Sequence, residues 1–272
     1  MVFEESVAAH YGRIDAQGQL LDMLRREGKD PEHFEPADLH GVDQLHIGGP
    51  AATSRVANRA GLSAGSRVLD IGSGMGGVAR HLAHEHGVEV HGVDLTPEFV
   101  TLSRSLTQRT GLAGSVTFSQ GSALALPLED DSFDAAIMIH VGMNIRDKDK
   151  VFAEAARVLR PGGVFAVYDV MLLGGEIETY PLPWAGTAET SFVQPPLAYS
   201  DALAQAGFEV DLESKTVQEG IDFLNGALAA TASGGAGPGG PLGVGAAALG
   251  NLRTAFQSGV LAPVEIYAHL PG

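Results

Sequence analysis

Short apolar runs alternate with amphipathic segments through the middle of the chain, from Arg67 to Val170. The apolar runs are SRVLDIG, VEVHGVDL, SVTFSQG, FDAAIMIH and GVFAVYDVM, and segments with helical spacing, such as GVARHLAHEHG and KVFAEAARVL, separate them. Apolar runs joined by helices are typical of strands in a parallel sheet that is covered on both faces. The pattern therefore predicts an α/β fold.

Regions on either side of this alternation also carry helical patterns. Residues 1–50 combine helical spacing of leucines with the loop-like run KDPEHFEPADLHG. This mixture predicts an N-terminal helical cap ahead of a main domain over residues 51–272. Near the other end, two helical stretches precede a final strand, APVEIYAHL. The glycine- and proline-rich residues 226–250 are interpreted as a flexible surface connection within this part.

The segment MLLGGEIETYPLPWAGTAETSF follows the last predicted parallel strand and shows no clear period. It belongs to residues 171–198, a stretch much longer than ordinary connections, which have about 4–6 residues. Long irregular segments in compact domains are usually functional. We therefore expect a lid-like segment close to a ligand.

Composition and charge narrow the class of protein. The 272 residues include no cysteine, which excludes a disulfide framework and a thiolate metal site. The N-terminus is acidic and lacks an apolar signal region, so we expect a cytoplasmic protein. A formal net charge of −16 would repel phosphate backbones. We therefore expect neither nucleic acid nor a membrane as a partner.

The run VLDIGSGMGG points to a nucleotide site, because Gly72, Gly74 and Gly77 satisfy G-x-G-x-x-G between a strand and a helix. This spacing equally fits a dinucleotide. Asp70, at the end of the strand, would repel a pyrophosphate but suits a ligand with an ammonium group, such as S-adenosylmethionine. Asp94, at the end of the next strand, can accept ribose hydroxyls in either case. A nicotinamide-dependent oxidoreductase is therefore the weaker alternative.

Four motifs in order, VLDIGSGMGG, GVDLTPEF, GSALALP with FDAAIMIHVGMNI, and ARVLRPGG, resemble those of class I S-adenosylmethionine-dependent methyltransferases. QLHIGGPAAT, YPLPWA and LAPVEIYAHL are similar to the sarcosine/dimethylglycine N-methyltransferase-like branch. The resemblance implies a Rossmann-like, seven-stranded, mostly parallel sheet with helices on both faces and an antiparallel last strand. It also makes residues 215–260 a helical insertion before that strand, forming a lid or a homodimer contact.

The resemblance further implies that the glycine loop meets the methionine and ribose portions of the cofactor, while later strand ends meet the adenine. The expected cofactor contacts are His46, Asp70, Gly72, Ser73, Gly74, Asp94, Leu95, Ser122, Ala123 and His140.

Methyl transfer requires alignment of the reactants and exclusion of water. Ligands in open α/β sheets bind beyond the carboxyl ends of the strands. His140, Asn144 and Asp169 follow or end the fourth and fifth strands and are the candidate catalytic residues, with His140 able to take a proton. Each also has a structural interpretation, as a packed histidine or a loop cap. The candidate acceptor contacts, whose rings attract cations, are Tyr11, Tyr168 and Trp184; for Tyr168 the core role is preferred.

His81, His84 and His86 lie on or near one predicted helix and are interpreted as solvated residues, so no metal is expected. The sequence thus predicts methyl transfer to a small molecule, such as a glycine derivative or a secondary-metabolite intermediate. The alternatives are an O- or C-methyltransferase of natural-product biosynthesis, and a non-catalytic cofactor-binding protein on the same fold.

Overall fold

The computed structural model describes residues 16–39, 42–232 and 244–272. Short 3₁₀ turns lie at Pro36–Leu39, Gly142–Asn144 and Ala188–Thr190. In chain order, the helices and strands of the described residues are α1 (Ala16–Arg26), α2 (Gly49–Arg59), β1 (Arg67–Ile71), α3 (Gly77–His86), β2 (Glu89–Asp94), α4 (Pro97–Arg109), β3 (Val116–Gln120), β4 (Phe133–Ile139), α5 (Lys148–Val158), β5 (Leu159–Leu172), α6 (Pro196–Gln205), β6 (Glu209–Lys215), α7 (Val217–Ala232), α8 (Ala246–Gln257) and β7 (Leu261–His269).

The sheet has seven strands in the order β3-β2-β1-β4-β5-β7-β6. Strands β1 to β5 are parallel where they pair, whereas β7 runs antiparallel to both β5 and β6. The expected sheet, including its antiparallel last strand, is confirmed. The order reverses direction between β1 and β4, and this is where open α/β sheets leave a crevice for ligands.

Helices cover both faces of the sheet. On one face, apolar residues of α2 and α3 pack with β1, β4 and β5. On the other face, α5 and α6 pack with the same central strands and with β7. Burial on both faces explains why β1, β4 and β5 appear in the sequence as continuous apolar runs.

Helix α1 forms a small additional layer over α4. Its residues Leu20, Leu21 and Leu24 are buried in one cluster with Leu102 and Leu106 of α4. The first helix of the main domain, α2, already begins at Gly49, so its first turn falls within the expected cap of residues 1–50.

Two segments differ from expectation. Residues 226–232 and 246–250 are helical, because α7 continues to Ala232 and α8 begins at Ala246, whereas residues 233–243 lie outside the described residues. Ala227 and Leu249 are buried in these helices, and this burial outweighs the helix-weakening effect of glycine. The irregular lid-like segment is shorter than residues 171–198, because β5 extends to Leu172 and α6 begins at Pro196. No helix in the described ranges is both long and apolar enough to cross a membrane.

Candidate cofactor and active site

A cavity of about 520 Å³ lies where β1, β2, β3 and β4 end. The loop before α2, the irregular segment and the helices α7 and α8 complete its wall. The structure thereby brings together most residues that the sequence singled out. Those that line the cavity are His46, Gly72, Ser73, Gly74, Asp94, Leu95, Ser122, Ala123, His140, Asn144 and Trp184.

Four expected site residues are not placed on this wall. Asp70, Tyr168 and Asp169 are buried but do not line the cavity. Tyr11 lies outside the described residues. For Tyr168 and Asp169 the reason is that β5 continues past them to Leu172, which keeps both inside the sheet. The preferred core role of Tyr168 agrees with its complete burial.

The glycine loop after β1 turns sharply against the end of β4. Gly72 has φ +77°, and a β-carbon at this position would overlap the side chain of Val141. Its backbone N–H donates to the Val93 carbonyl at 2.8 Å. Because L side chains disfavour positive φ and no space exists for one, only glycine fits at position 72.

Two buried carboxyl groups lie beside this loop. Asp94 accepts hydrogen bonds from the backbone N–H groups of Gly74 at 2.7 Å and Thr96 at 2.8 Å. Burial nevertheless raises its pKa. The Asp70 carboxylate is less well stabilised than that of Asp94, because its buried Oδ2 has no hydrogen-bond partner. Burial, and secondarily the charge of Asp94, raise the pKa of Asp70 to about 7. The pair favours a positively charged ligand.

His140 occupies a strained position at the end of β4, with φ +55°. Its backbone N–H donates to the Tyr168 carbonyl at 2.7 Å, while its buried Nε2 has no hydrogen-bond partner. Burial, and secondarily the neighbouring His46, hold the pKa of His140 well below its usual range. The ring is therefore neutral near pH 7. Strained residues of this kind cluster at functional sites.

His46 faces His140 from the loop before α2, with ring centroids 6.0 Å apart. Its Nε2 lies 2.9 Å from the Gly49 carbonyl, which requires a proton on this nitrogen and leaves Nδ1 as the acceptor. Burial lowers the pKa of His46 to about 4. The cavity therefore has two neutral imidazole rings on one side.

A buried network supports the turn Gly142–Asn144, which carries part of the wall. Asp169 accepts a hydrogen bond from the Tyr199 hydroxyl at 2.8 Å. Lys148 donates to the carbonyls of Gly142 at 2.8 Å and Phe192 at 3.0 Å, which ties the turn to the irregular segment. Burial raises the pKa of Asp169 to about 6 and lowers that of Lys148 to about 8. These buried groups therefore fix the position of the turn and of the part of the cavity wall that it carries.

The histidines of α3 need one correction. His81 is not solvated: it is 5% exposed, and its Nε2 lies 2.7 Å from the Ser54 hydroxyl. The interface between α2 and α3 buries it, which the pattern of α3 alone does not indicate. His84 is exposed. Within the described ranges, no three histidine or acidic side chains are grouped to hold a metal ion.

The apolar side of the cavity was not predicted from the sequence. Ile47, Met143, Leu224, Leu249 and Leu252 line it and belong to one buried cluster with Trp184. The amphipathic spacing of α7 and α8 was a usable signal for their burial. Nothing local indicated that these helices pack over the ends of the strands.

Residues 69–167 match the family described as a methyltransferase domain. Methyltransferase GfsG of Streptomyces halstedii is 35% identical over 161 residues, which are 59% of this chain and 58% of that protein. The chain spans less than two thirds of the length of this and similar curated relatives, between 31% and 58%.

Solved structures show the same fold at low sequence identity. Geranyl diphosphate C-methyltransferase from Streptomyces coelicolor A3(2) has 19% identity and a TM-score of 0.73, covering 99% of this chain and 98% of that one. A protein described as a sarcosine dimethylglycine methyltransferase from Galdieria sulphuraria has 21% identity and a TM-score of 0.67, covering 81% and 85%. The chain therefore contains a methyltransferase domain over residues 69–167, and its glycine loop, buried carboxyl pair and strand order lie within the fold of these solved methyltransferases.

Proposed function

We propose that this chain transfers a methyl group from S-adenosylmethionine to a small organic acceptor. The observation that carries the proposal is the buried pair Asp70 and Asp94 beside the glycine loop. Their negative potential favours a ligand that is positively charged, as this cofactor is through its sulfonium and ammonium groups. The same potential opposes the pyrophosphate of a nicotinamide dinucleotide.

An unpartnered polar atom on the cavity wall supports this cofactor. The Ser73 hydroxyl is buried, lines the cavity and lacks a hydrogen-bond partner. Buried polar atoms of this kind are usually satisfied in the working state. Asp94 would bind the ribose, and the adenine would contact Leu95, Ser122 and Ala123. Asp70, which is buried behind the cavity wall, would attract the ammonium group by its charge. When bound, S-adenosylmethionine supplies an electrophilic methyl carbon on its sulfur.

Residues on the acceptor side of the cavity would orient the acceptor and remove its proton. His140 is neutral and its Nε2 is unpartnered, so with the ring proton on Nδ1 this nitrogen can accept a hydrogen bond from an acceptor hydroxyl or N–H, orient it and take its proton. Asn144, on the turn after β4, can orient the same group through its amide. The apolar wall excludes water from the cationic sulfur. Asp169 is a positioning residue that accepts hydrogen bonds from the Met143 backbone N–H in the turn and from the Tyr199 hydroxyl.

Calorimetric titration of the purified protein with S-adenosylmethionine, S-adenosylhomocysteine and NADH tests the cofactor. We expect both sulfur nucleosides to bind and NADH to fail, because Asp70 and Asp94 repel its pyrophosphate. Binding of NADH alone would contradict the proposal. If S-adenosylmethionine binds but no methyl group is transferred to any compound in an acceptor screen, a non-catalytic cofactor-binding protein is the better description.

Replacing His140 by alanine should lower turnover by about 10²- to 10⁴-fold if the imidazole takes the acceptor proton. The affinity for S-adenosylmethionine should change far less, because the other cofactor contacts remain. Turnover is measured with radiolabelled cofactor and an acceptor found by screening. His84→Ala, on the exposed face of α3, is the matched control and should keep full activity. Equal turnover in both variants would remove His140 from the mechanism.

We also propose that the protein acts on small molecules inside the cell and does not bind nucleic acid. This proposal rests on the absence of cysteine and the net charge of −16. A homodimer through α7 and α8 is part of the same proposal and would be measured by light scattering. The acceptor classes considered are amines such as glycine derivatives, and hydroxyl or carbon nucleophiles of natural products.

A further inference from the structure

The wall of the cavity opposite the glycine loop is apolar. Ile47, Met143, Trp184, Leu224, Leu249 and Leu252 line it and are buried together in one cluster. They come from the loop before α2, the turn after β4, the irregular segment and the helices α7 and α8. Five separate parts of the chain thus contribute apolar side chains to the same surface.

The charged residues that line the cavity do not belong to this wall. Asp43 pairs with the buried Arg80 at 2.8 Å, and Asp94 accepts two backbone N–H groups near the glycine loop. Asp147 caps α5 by accepting from the Lys150 N–H at 3.0 Å. Arg146 is exposed at the rim, with its guanidinium 4.9 Å from the Phe192 ring centre. Within the described ranges, none of these charges is placed inside the apolar cluster.

A charged acceptor would lose its hydration against this wall. Transferring an ion into apolar surroundings without a partner costs far more than transferring a neutral polar group. A zwitterion such as sarcosine carries two such charges and presents very little apolar surface. An apolar molecule loses nothing there and gains from removal of its surface from water.

The polar groups on the acceptor side are gathered at one end. His46, His140 and Asn144 all line the cavity close to the ends of β4 and the loop before α2. Both imidazole rings are neutral near pH 7, because burial lowers the pKa of each. This end can therefore meet a neutral hydroxyl or amine by hydrogen bonding, while it offers no counter-charge to an ion.

We infer that the acceptor is an uncharged, predominantly apolar small molecule that presents one hydroxyl or neutral amine to His140 and Asn144 and lays its apolar body against Trp184, α7 and α8. The inference rests on the proposed methyltransferase function, and it favours a natural-product type of acceptor over a glycine derivative.

Trp184 provides a direct measurement, because it is the only tryptophan of the chain and lines the apolar wall. Its ring is held by a hydrogen bond from Nε1 to the Ser191 hydroxyl at 3.0 Å. The ring is only 4% exposed, so a ligand on this wall shifts its fluorescence emission by changing the groups that contact the ring. The probes are 1-octanol, octanoate and sarcosine, each added to protein saturated with S-adenosylhomocysteine. Octanol and octanoate share their alkyl length and differ in charge.

We expect a saturable shift with octanol, at least about tenfold weaker binding of octanoate, and no shift with sarcosine. Leu249→Phe should fill the wall and abolish the octanol response without changing the affinity for S-adenosylhomocysteine measured by calorimetry. Leu197→Phe is the matched control, because Leu197 is 68% exposed on α6, and it should respond as the unmodified protein does.

Binding of octanoate or sarcosine as tight as that of octanol would overturn this inference and leave the methyltransferase proposal intact. An octanol response in protein that binds neither S-adenosylmethionine nor S-adenosylhomocysteine would have the opposite meaning: the apolar site would stand, while the proposed function would fall. The comparison of probes on the unmodified protein does not depend on the folding of any variant.

Discussion

Arg80→Met is expected to destabilise the protein by about 3–5 kcal/mol, the usual result of removing one partner from a buried ion pair. Arg80 and Asp43 have side-chain exposures of 0% and 2%, and Nη2 lies 2.8 Å from Oδ2. The substitution leaves the Asp43 carboxylate buried without its cation. Asp43 belongs to the loop that carries His46 and lines the cavity, so cofactor affinity should fall as well. Urea denaturation and calorimetry measure the two effects.

Arg25→Met is the matched control. Arg25 and Asp22 form an ion pair of 2.6 Å, but both side chains are more than half exposed. Exposed pairs contribute about 0–1 kcal/mol, so this variant should be close to the unmodified protein in both measurements. Adding Asp43→Asn to Arg80→Met should recover part of the lost stability, because it removes the unpaired charge. Equal losses of stability in Arg80→Met and Arg25→Met would contradict a stabilising role of the buried Asp43–Arg80 ion pair.

Asp70→Asn is expected to stabilise the protein without cofactor at pH 8, by up to about 4 kcal/mol. Burial raises the pKa of Asp70 from 3.8 to about 7, so the folded state holds this proton over a pH range in which the unfolded chain has lost it. Stability from this group is therefore present below pH 4 and is lost as the pH rises through 7. Asparagine removes this dependence, so the difference between the two proteins should grow from pH 4 to pH 8.

The same variant should bind S-adenosylmethionine more weakly at pH 8, because the ionised carboxylate that destabilises the free protein favours a cationic ligand. Thermal unfolding with and without cofactor separates the two effects. Asp201→Asn, an exposed carboxylate on α6, is the control and should change stability by no more than about 0.5 kcal/mol at any pH. An Asp70→Asn protein less stable than the unmodified one at pH 8 would contradict the assigned cost of burying this charge.

Several features of the fold and site were predictable because their signals are local. Continuous apolar runs joined by helices indicated a parallel sheet, and the structure has β1 to β5 in that arrangement. The glycines at 72 and 74 and the acid at 94 lie within a few residues of strand ends, so the geometry of a parallel sheet brings them to one edge. Ten of the eleven expected residues that line the cavity lie in a helix or strand or within four residues of one; Trp184 does not.

Other features depended on contacts between distant parts of the chain. Tyr168 and Asp169 were expected at the cavity, but β5 continues past them and keeps both inside the sheet. Asp70 was also expected there, but it is buried within β1 and does not line the cavity. His81 becomes buried only because α2 packs on α3. Ala227 and Leu249 join the core only because α7 and α8 pack on each other over β5 and β7.

The sequence by itself therefore determined the strand and helix alternation, the glycine loop, the acidic residue of the second strand and the class of cofactor, since each depends on residues near one another in the chain. The tertiary structure alone decided the apolar wall of the cavity, the buried Asp43–Arg80 ion pair and the burial of the Asp70 carboxylate without a hydrogen-bond partner for Oδ2. These depend on which surfaces meet across long sequence separations, and burial, which sets both apolar character and pKa, arises only when those surfaces meet.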